Sequence, residues 1–393
     1  MQRKDTIWNK DFIILLIANA FVFTNMHMLT TTIADLALSL RANETVAGLL
    51  AGAFAITAIV VRPVCGNMID RKSKKYLYIF SVAVILCSML GYSVSSNNTM
   101  LFIFRLLHGV GWGFATTIGM TMATNTVPEH RIGEAASIYG LANVMAMAVA
   151  PTLGAYLSEH YNYRVMFLAG AALAGIAVAM LFFVEDQPPV EGAEKKKITA
   201  SSLVLKEALI PALVLVLVGA VYTSVSTFVR TYAREVGIAN PAVFFTVYSV
   251  AILVVCLFAG RIVDKKGPEY IMVPAGVFFC GCLLTLARLN GVGLLYLAAV
   301  LMGLGYSADL STLMAVSFKR TTKAQRGNAS STVNIGMDLG SLIGPTVAGG
   351  VKIAMGSYSG MYAVMCIPVI CATALFVWDQ KQHKAGRGLY RKA

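Results

Sequence analysis

A few side chains able to carry charge or a proton stand inside long apolar stretches of this 393-residue chain. Arg105 and His108 are three residues apart, which puts them on one face of a helix. His27 sits mid-way along another apolar run, and an imidazole changes charge near neutral pH. Asp309 and Asp338 are acids in runs otherwise almost free of charge. A carboxyl poised between burial and a nearby cation can exchange a proton or hold a cationic guest. Asp309 precedes Lys319 by ten residues and Asp338 follows Arg326 by twelve. On helices rising 1.5 Å per residue, both acids then lie roughly 15–18 Å from the basic clusters beside them. Tyr222, Tyr248 and Tyr306 add rings with a hydroxyl, able to offer a guest an apolar face and a hydrogen bond.

These groups need long helices to position them. The chain is 57% hydrophobic and 13% charged, with a mean hydropathy of +0.71. A soluble fold is nearer one quarter charged and could not hide so much apolar surface. Runs of about 20 apolar residues, the length that crosses a bilayer, fall near 11–34, 46–66, 76–95, 100–122, 136–158 and 164–184. Six more fall near 207–229, 242–262, 269–287, 294–317, 329–351 and 359–378. Backbone groups in lipid must be satisfied within the segment, so these twelve spans are expected to be helices.

Landmarks recur at an offset of 194 residues: Gly66 and Gly260, Gly109 and Gly303, Gly133 and Gly327, Pro151 and Pro345. The fold class expected is therefore all-α integral membrane, with twelve transmembrane helices in two pseudo-symmetric six-helix bundles. The bundles are 1–184 and 206–393, the second ending in a short tail, and 185–205 is a polar linker. Of the 32 Lys and Arg residues, 24 fall in the termini, the linker and alternate loops, so both termini are expected in the cytoplasm. The net charge of +13 follows from this topology and speaks for anionic lipid, not nucleic acid. The seven cysteines lie in apolar runs and read as small buried hydrophobes. No phosphate-binding loop, metal-ligand spacing or nucleophile–base pattern occurs, so no metal, no cofactor and no enzyme activity are expected.

Three motifs carry a family resemblance. Gly66–Lys75 reads GNMIDRKSKK, close to G-x-x-x-D-R-x-G-R-R, with Ser73 and Lys74 among the departures. Arg105, Gly109, Gly111 and Trp112 form R-x-x-x-G-x-G-W. A Gly-Pro pattern is partly met at Pro151 and Gly154 and more fully at Gly340, Gly344 and Pro345. Over essentially its whole length the chain resembles transporters of the major facilitator superfamily, and most the drug:proton antiporter branch.

The resemblance implies two bundles that expose a central cavity alternately to each side. Gly66, Asp70 and Arg71, with Gly260 and Asp264 in the second half, would form a gating latch. Arg105, His27, His108, Asp309, Asp338, Tyr222 and Tyr306 would serve substrate or proton. Pro151, Gly154, Gly340, Gly344 and Pro345 would pack helices. The expected function is proton-coupled export of small organic molecules by a monomer in a bacterial inner membrane, driven by the proton gradient. The alternatives are a facilitator or importer of sugars or organic anions, a transporter-like receptor, and a lipid flippase.

Overall fold

The computed structural model describes residues 6–69, 72–128, 131–187, 205–306, 309–321 and 326–384. Among these no strand occurs; the elements are helices. The first half holds α1 (Lys10–Ser39), α2 (Glu44–Gly52), α3 (Phe54–Ile69), α4 (Lys74–Ser93), α5 (Asn98–Asn125), α6 (Ile132–His160) and α7 (Tyr163–Leu181). A short 3₁₀ turn, Lys206–Ala208, leads into α8 (Leu209–Glu235) and α9 (Val243–Lys266). There follow α10 (Glu269–Ala287), α11 (Val292–Tyr306), α12 (Asp309–Lys319), α13 (Arg326–Met355), α14 (Tyr358–Val364) and α15 (Cys366–Lys384). Nine helices among the described residues are long and apolar enough to cross a membrane, and Val243–Ile252 and Val292–Tyr306 are shorter apolar helices.

The twelve apolar runs are helical wherever they are described, and two of them are interrupted. Span two is α2 and α3, and span twelve is α14 and α15; span ten holds α11 and α12, with 307–308 outside the described residues. The 194-residue repeat holds at the level of elements. Moved by that offset, α4 falls on α10 and α6 on α13, while α5 falls on α11 and α12 together.

Helix ends follow local chemistry. The side chains of Asn9, Asn97 and Asn162 accept the backbone N–H groups of Phe12, Met100 and Val165, each at 2.9 Å. They satisfy donors that the first turn leaves open. At the far end of α8, Gly237 has φ +86°, a conformation that needs no Cβ. The Gly237 N–H donates to Arg234 O and the Ile238 N–H to Ala233 O, both 2.9 Å. This pair of bonds closes the helix in a Schellman turn.

The chain divides into two compact units. Unit 1 is Met1–Leu40 with Ala53–Ile198; unit 2 is Arg41–Gly52 with Thr199–Ala393. Within unit 1, α1 packs on α6 and α7, and α5 lies between α3 and α4. Gly109 and Gly113 meet the α3 backbone and Gly111 meets α4, so a Cβ at any of them would overlap its neighbour. Gly154 lies against Met28 of α1. Within unit 2, α13 is held between α8 and α2. Gly336, Gly340 and Gly344 give α13 its close approach to Ala212, Val216 and Ala220 of α8.

Segment 185–187 folds back on unit 1. Ser73 Oγ donates to Asp186 Oδ1 at 2.5 Å, Lys75 Nζ to Phe182 O at 2.7 Å, and Gln187 Nε2 to Met122 O at 3.0 Å. The basic turn is thus tied to the start of the linker. At the corresponding end of unit 2, Arg320 Nη2 donates to Asp379 Oδ2 at 2.6 Å, joining the end of α12 to α15.

Candidate functional site

In unit 1, α5 carries Arg105 into the helix packing. Its side chain is fully buried, with the guanidinium carbon 4.8 Å from the centre of the Phe54 ring of α3. A cation over a ring face is attracted by the ring quadrupole. Phe54 meets Trp112 edge-on with centroids 6.4 Å apart, and Trp112 meets Phe23 of α1 edge-on at 5.0 Å. Phe23 stacks on His27 at 6.2 Å. His27 is half-buried, and its Nε2–H donates to Asn143 Oδ1 of α6 at 2.9 Å. A continuous line of rings therefore joins Arg105 to His27, across α5, α3 and α1, and ends on α6.

His108 meets a ring of α4 that Arg105 also neighbours. It is buried beside Tyr92 of α4 with ring centroids 6.2 Å apart, and Tyr92 packs on Phe167 of α7 at 5.2 Å. Neither ring nitrogen of His108 has a hydrogen-bond partner among the described residues.

In unit 2 the Tyr222 ring of α8 stacks on the Tyr306 ring at the end of α11, with centroids 3.9 Å apart and planes 7° from parallel. Tyr248 of α9 lies 6.2 Å from Tyr222, and Phe279 of α10 lies 6.4 Å from Tyr306. Asp309 opens α12 three residues after Tyr306. The Asp309 carboxyl is buried, and its Oδ1 has no partner among the described residues. Thr312 Oγ1, one turn along α12, is likewise buried and without a partner among the described residues, and the buried Ser226 hydroxyl lies one turn along α8 from Tyr222. Three rings, a carboxyl and two hydroxyls are thus brought together from four helices. Buried polar atoms are nearly always satisfied, so this concentration can accept a proton or a polar guest.

A cavity of about 600 Å³ lies elsewhere, at the ends of α1, α4 and α5, lined by Asn9, Lys10, Asp11, Lys74 and Asn125 with 185–187. The N-terminal segment from Thr6 to Asp11 supplies most of one wall, and the linker start supplies Glu185, Asp186 and Gln187.

The family model of the Major Facilitator Superfamily matches residues 15–293 and 242–392. The chain belongs to that superfamily. It is a multi-pass membrane transporter acting on small molecules, not an enzyme. Multidrug resistance protein MdtG of Salmonella schwarzengrund (strain CVM19633) is 26% identical over 349 residues, covering 84% of this chain and 85% of that protein. MdtG of Salmonella typhimurium (strain LT2) matches to the same extent. Among solved structures, the nucleoside transporter NupG has a TM-score of 0.73 at 15% identity, covering 93% of this chain and 98% of NupG. A POT family transporter in complex with a thioalcohol-conjugated peptide has a TM-score of 0.77 at 13% identity, covering 94% and 95%. At these identities the two structures speak for the fold alone.

Within this major facilitator chain, the residues singled out from sequence fall into separate groups. Tyr222, Tyr306 and Asp309 come together in unit 2. Arg105 and His27 are linked by rings in unit 1, while His108 sits where α5 packs on Tyr92 of α4. Asp338 is buried on α13, between Gly336 and Gly340 in sequence. Asp70 and Arg71 lie outside the described residues, as do the side-chain surroundings of Gly66, Gly260 and Asp264. Sequence reasoning missed Phe54, Phe23 and Asn143, and Ser226 and Thr312. Asn143 carried a signal, an amide in an apolar run. The two phenylalanines carried none, since only packing separates them from any other ring in lipid.

Proposed function

We propose that this transporter exports small organic molecules, drug-like compounds or metabolites, in exchange for protons by alternating access. The proton gradient is its energy source, and it works as a monomer without a cofactor in a bacterial inner membrane, with both termini in the cytoplasm. The observation that carries the reading is buried Asp309, with an unpartnered carboxyl oxygen beside the Tyr222–Tyr306 stack. An acid inside a membrane protein is expensive to keep and is a functional group by default. The MdtG relatives, named as multidrug resistance proteins, support export of organic solutes. In this reading 1–184 and 206–393 are the alternating halves, joined by 185–205. Asp338, Arg105, His27 and His108 share in handling substrate or proton. Gly66, Asp70 and Arg71, with Gly260 and Asp264, gate the cycle.

A facilitator of organic anions is the second reading, favoured by the complete burial of Arg105 and Arg230. Purified protein in liposomes with an internal pH dye separates the two. Organic cations, anions, sugars and zwitterions are offered to wild type, Asp309→Asn and Asp338→Asn. Proton-coupled export predicts a substrate-induced pH change that falls at least tenfold in Asp309→Asn. Substrate flux with no proton movement in wild type leaves the facilitator. Binding without flux leaves a receptor.

A further inference from the structure

In unit 2, the seam between α10 and the last apolar run brings two thiols together. Ser359 Oγ, at the start of α14, donates to Ala287 O at the end of α10. Cys280 stands seven residues back along α10 from Ala287, and Cys366 seven residues on from Ser359. The two runs are antiparallel, so at 1.5 Å per residue both cysteines lie about 10 Å inside the same end. Their contact is direct. Cys366 Sγ donates to Cys280 O at 3.9 Å, and the two thiols are within hydrogen-bond reach of each other. Further along the seam, Gly276 of α10 meets Thr373 of α15. Span twelve is interrupted at Met365, so Cys366 is the first residue of α15 and Pro368 lies in its first turn. A proline there removes no helical bond, because the first-turn N–H groups have no acceptor within the helix.

The pair stands at the lipid edge of this seam. Cys280 is half-buried and shares a face of α10 with Val277 and Leu284, both exposed. Cys366 is buried, and Ile370, one turn along α15, is exposed. In a chain that crosses a bilayer, exposed apolar side chains at this depth meet hydrocarbon. Cys282 is two residues from Cys280, hence on the opposite side of α10, and is fully buried. Two neighbouring thiols can be oxidised to one disulfide. Here the oxidant has to arrive through lipid. Charge is costly in hydrocarbon, so it also has to take hydrogen and not leave ions behind. A quinone meets both demands.

We propose that Cys280 and Cys366 form a lipid-side oxidation site, converted to a disulfide by a lipid-soluble quinone. The two S–H bonds break and one S–S bond forms. Both hydrogens, with their electrons, pass to the quinone oxygens and give a hydroquinone, so the sulfurs are oxidised and the quinone is reduced. The bond pins the start of α15 to α10 beside the interruption of span twelve. Unit 2 is therefore braced when the quinones of the membrane are oxidised. The inference rests on the chain crossing a membrane, not on which solute or ion it carries.

The test needs no transported substrate. Full-length protein in liposomes is incubated with decylubiquinone, then denatured, alkylated and digested for mass spectrometry. A peptide pair joined through Cys280 and Cys366 is expected, with hydroquinone formed in step with it. Decylubiquinol gives neither. Cys280→Ser and Cys366→Ser each lose the link, while Cys282→Ser keeps it. Linked wild type is expected to melt at a higher temperature in detergent than the reduced protein, a gain absent from both single variants. Ferricyanide, which stays in water, leaves the pair reduced. Linking by ferricyanide as fast as by the quinone would open the site to water and overturn its lipid-side character. A link through Cys282 in place of Cys280 would overturn the pairing, and an unchanged melting temperature on linking would overturn the bracing of α15. Wild type that stays folded and reduced in decylubiquinone would leave two packing thiols and sink the proposal.

Discussion

Arg105 and His108 lie three residues apart and both neighbour Tyr92 of α4, while Arg105 also reaches the Phe54 ring of α3. Shared helical face was legible in the sequence, and so was burial. The identity of the packing helix was not, because it depends on residues about 50 and 16 positions away along the chain. Ser73 gives a sharper case. It stands where the family's loop usually has glycine, and its hydroxyl both caps α4, accepting from the Tyr76 N–H at 3.3 Å, and donates to Asp186. Ser73→Gly removes both bonds. Loss of an N-cap to glycine costs only a few tenths of a kcal/mol, and loss of the bond to Asp186 about 1 kcal/mol. A fall of a few degrees in the melting temperature in detergent is expected, together with faster proteolysis in 185–205. Unchanged proteolysis would mean that the tie to Asp186 does not hold the linker start. The Arg320–Asp379 pair is far more buried and should matter more. Asp379→Ala leaves a guanidinium without its carboxylate and is expected to destabilise by about 3–5 kcal/mol, read as a lost or strongly shifted unfolding transition.

At the scale of helices, the periodic glycines of α5 sort into two faces, Gly109 and Gly113 toward α3 and Gly111 toward α4. The sequence showed that a close approach was available there; only the fold shows which helix takes each face. The distinction is measurable. A methyl at Gly109 would overlap the carbonyl oxygen of Phe54, so Gly109→Ala forces α3 and α5 apart at a cost of about 1–3 kcal/mol. It would also shift Phe54 under Arg105. Gly175, inside α7, has nothing within reach of a Cβ, and Gly175→Ala should be neutral or stabilise by up to about 1 kcal/mol. Opposite shifts of the melting temperature in the two variants would bear out the packing, and equal shifts would contradict it. The interruptions of spans two and twelve were not legible. Ala53, where span two is interrupted, is a good helix former, so the break there reflects what the flanking halves pack against and not local propensity.

Across the whole molecule, the 194-residue repeat was legible because gap-free landmarks survive where side chains diverge, and the helices of the two halves begin in step. What composition could not reveal is that Arg41–Gly52 clusters with the second half of the chain. Eleven of the twelve apolar runs lie within the unit their sequence position suggests; span two alone is shared. This sharing has a consequence for assembly. If the glycine seam between α2 and α13 is a strong contact, a chain cut in its linker should still associate. Fragments 1–190 and 191–393, expressed together with a tag on the second, are expected to purify as a pair. Adding Gly48→Leu and Gly52→Leu to the first fragment drives two leucines into the α13 backbone. At about 1–3 kcal/mol for each overpacked site, recovery of the untagged fragment should fall about fivefold or more. Leucine at Gly140, where a Cβ meets nothing, should leave recovery unchanged and serves as the control for apolar bulk. Equal recovery with and without the leucines would show that the fragments associate without the α2 seam, and would remove the basis for treating α2 as the piece that unit 2 grips.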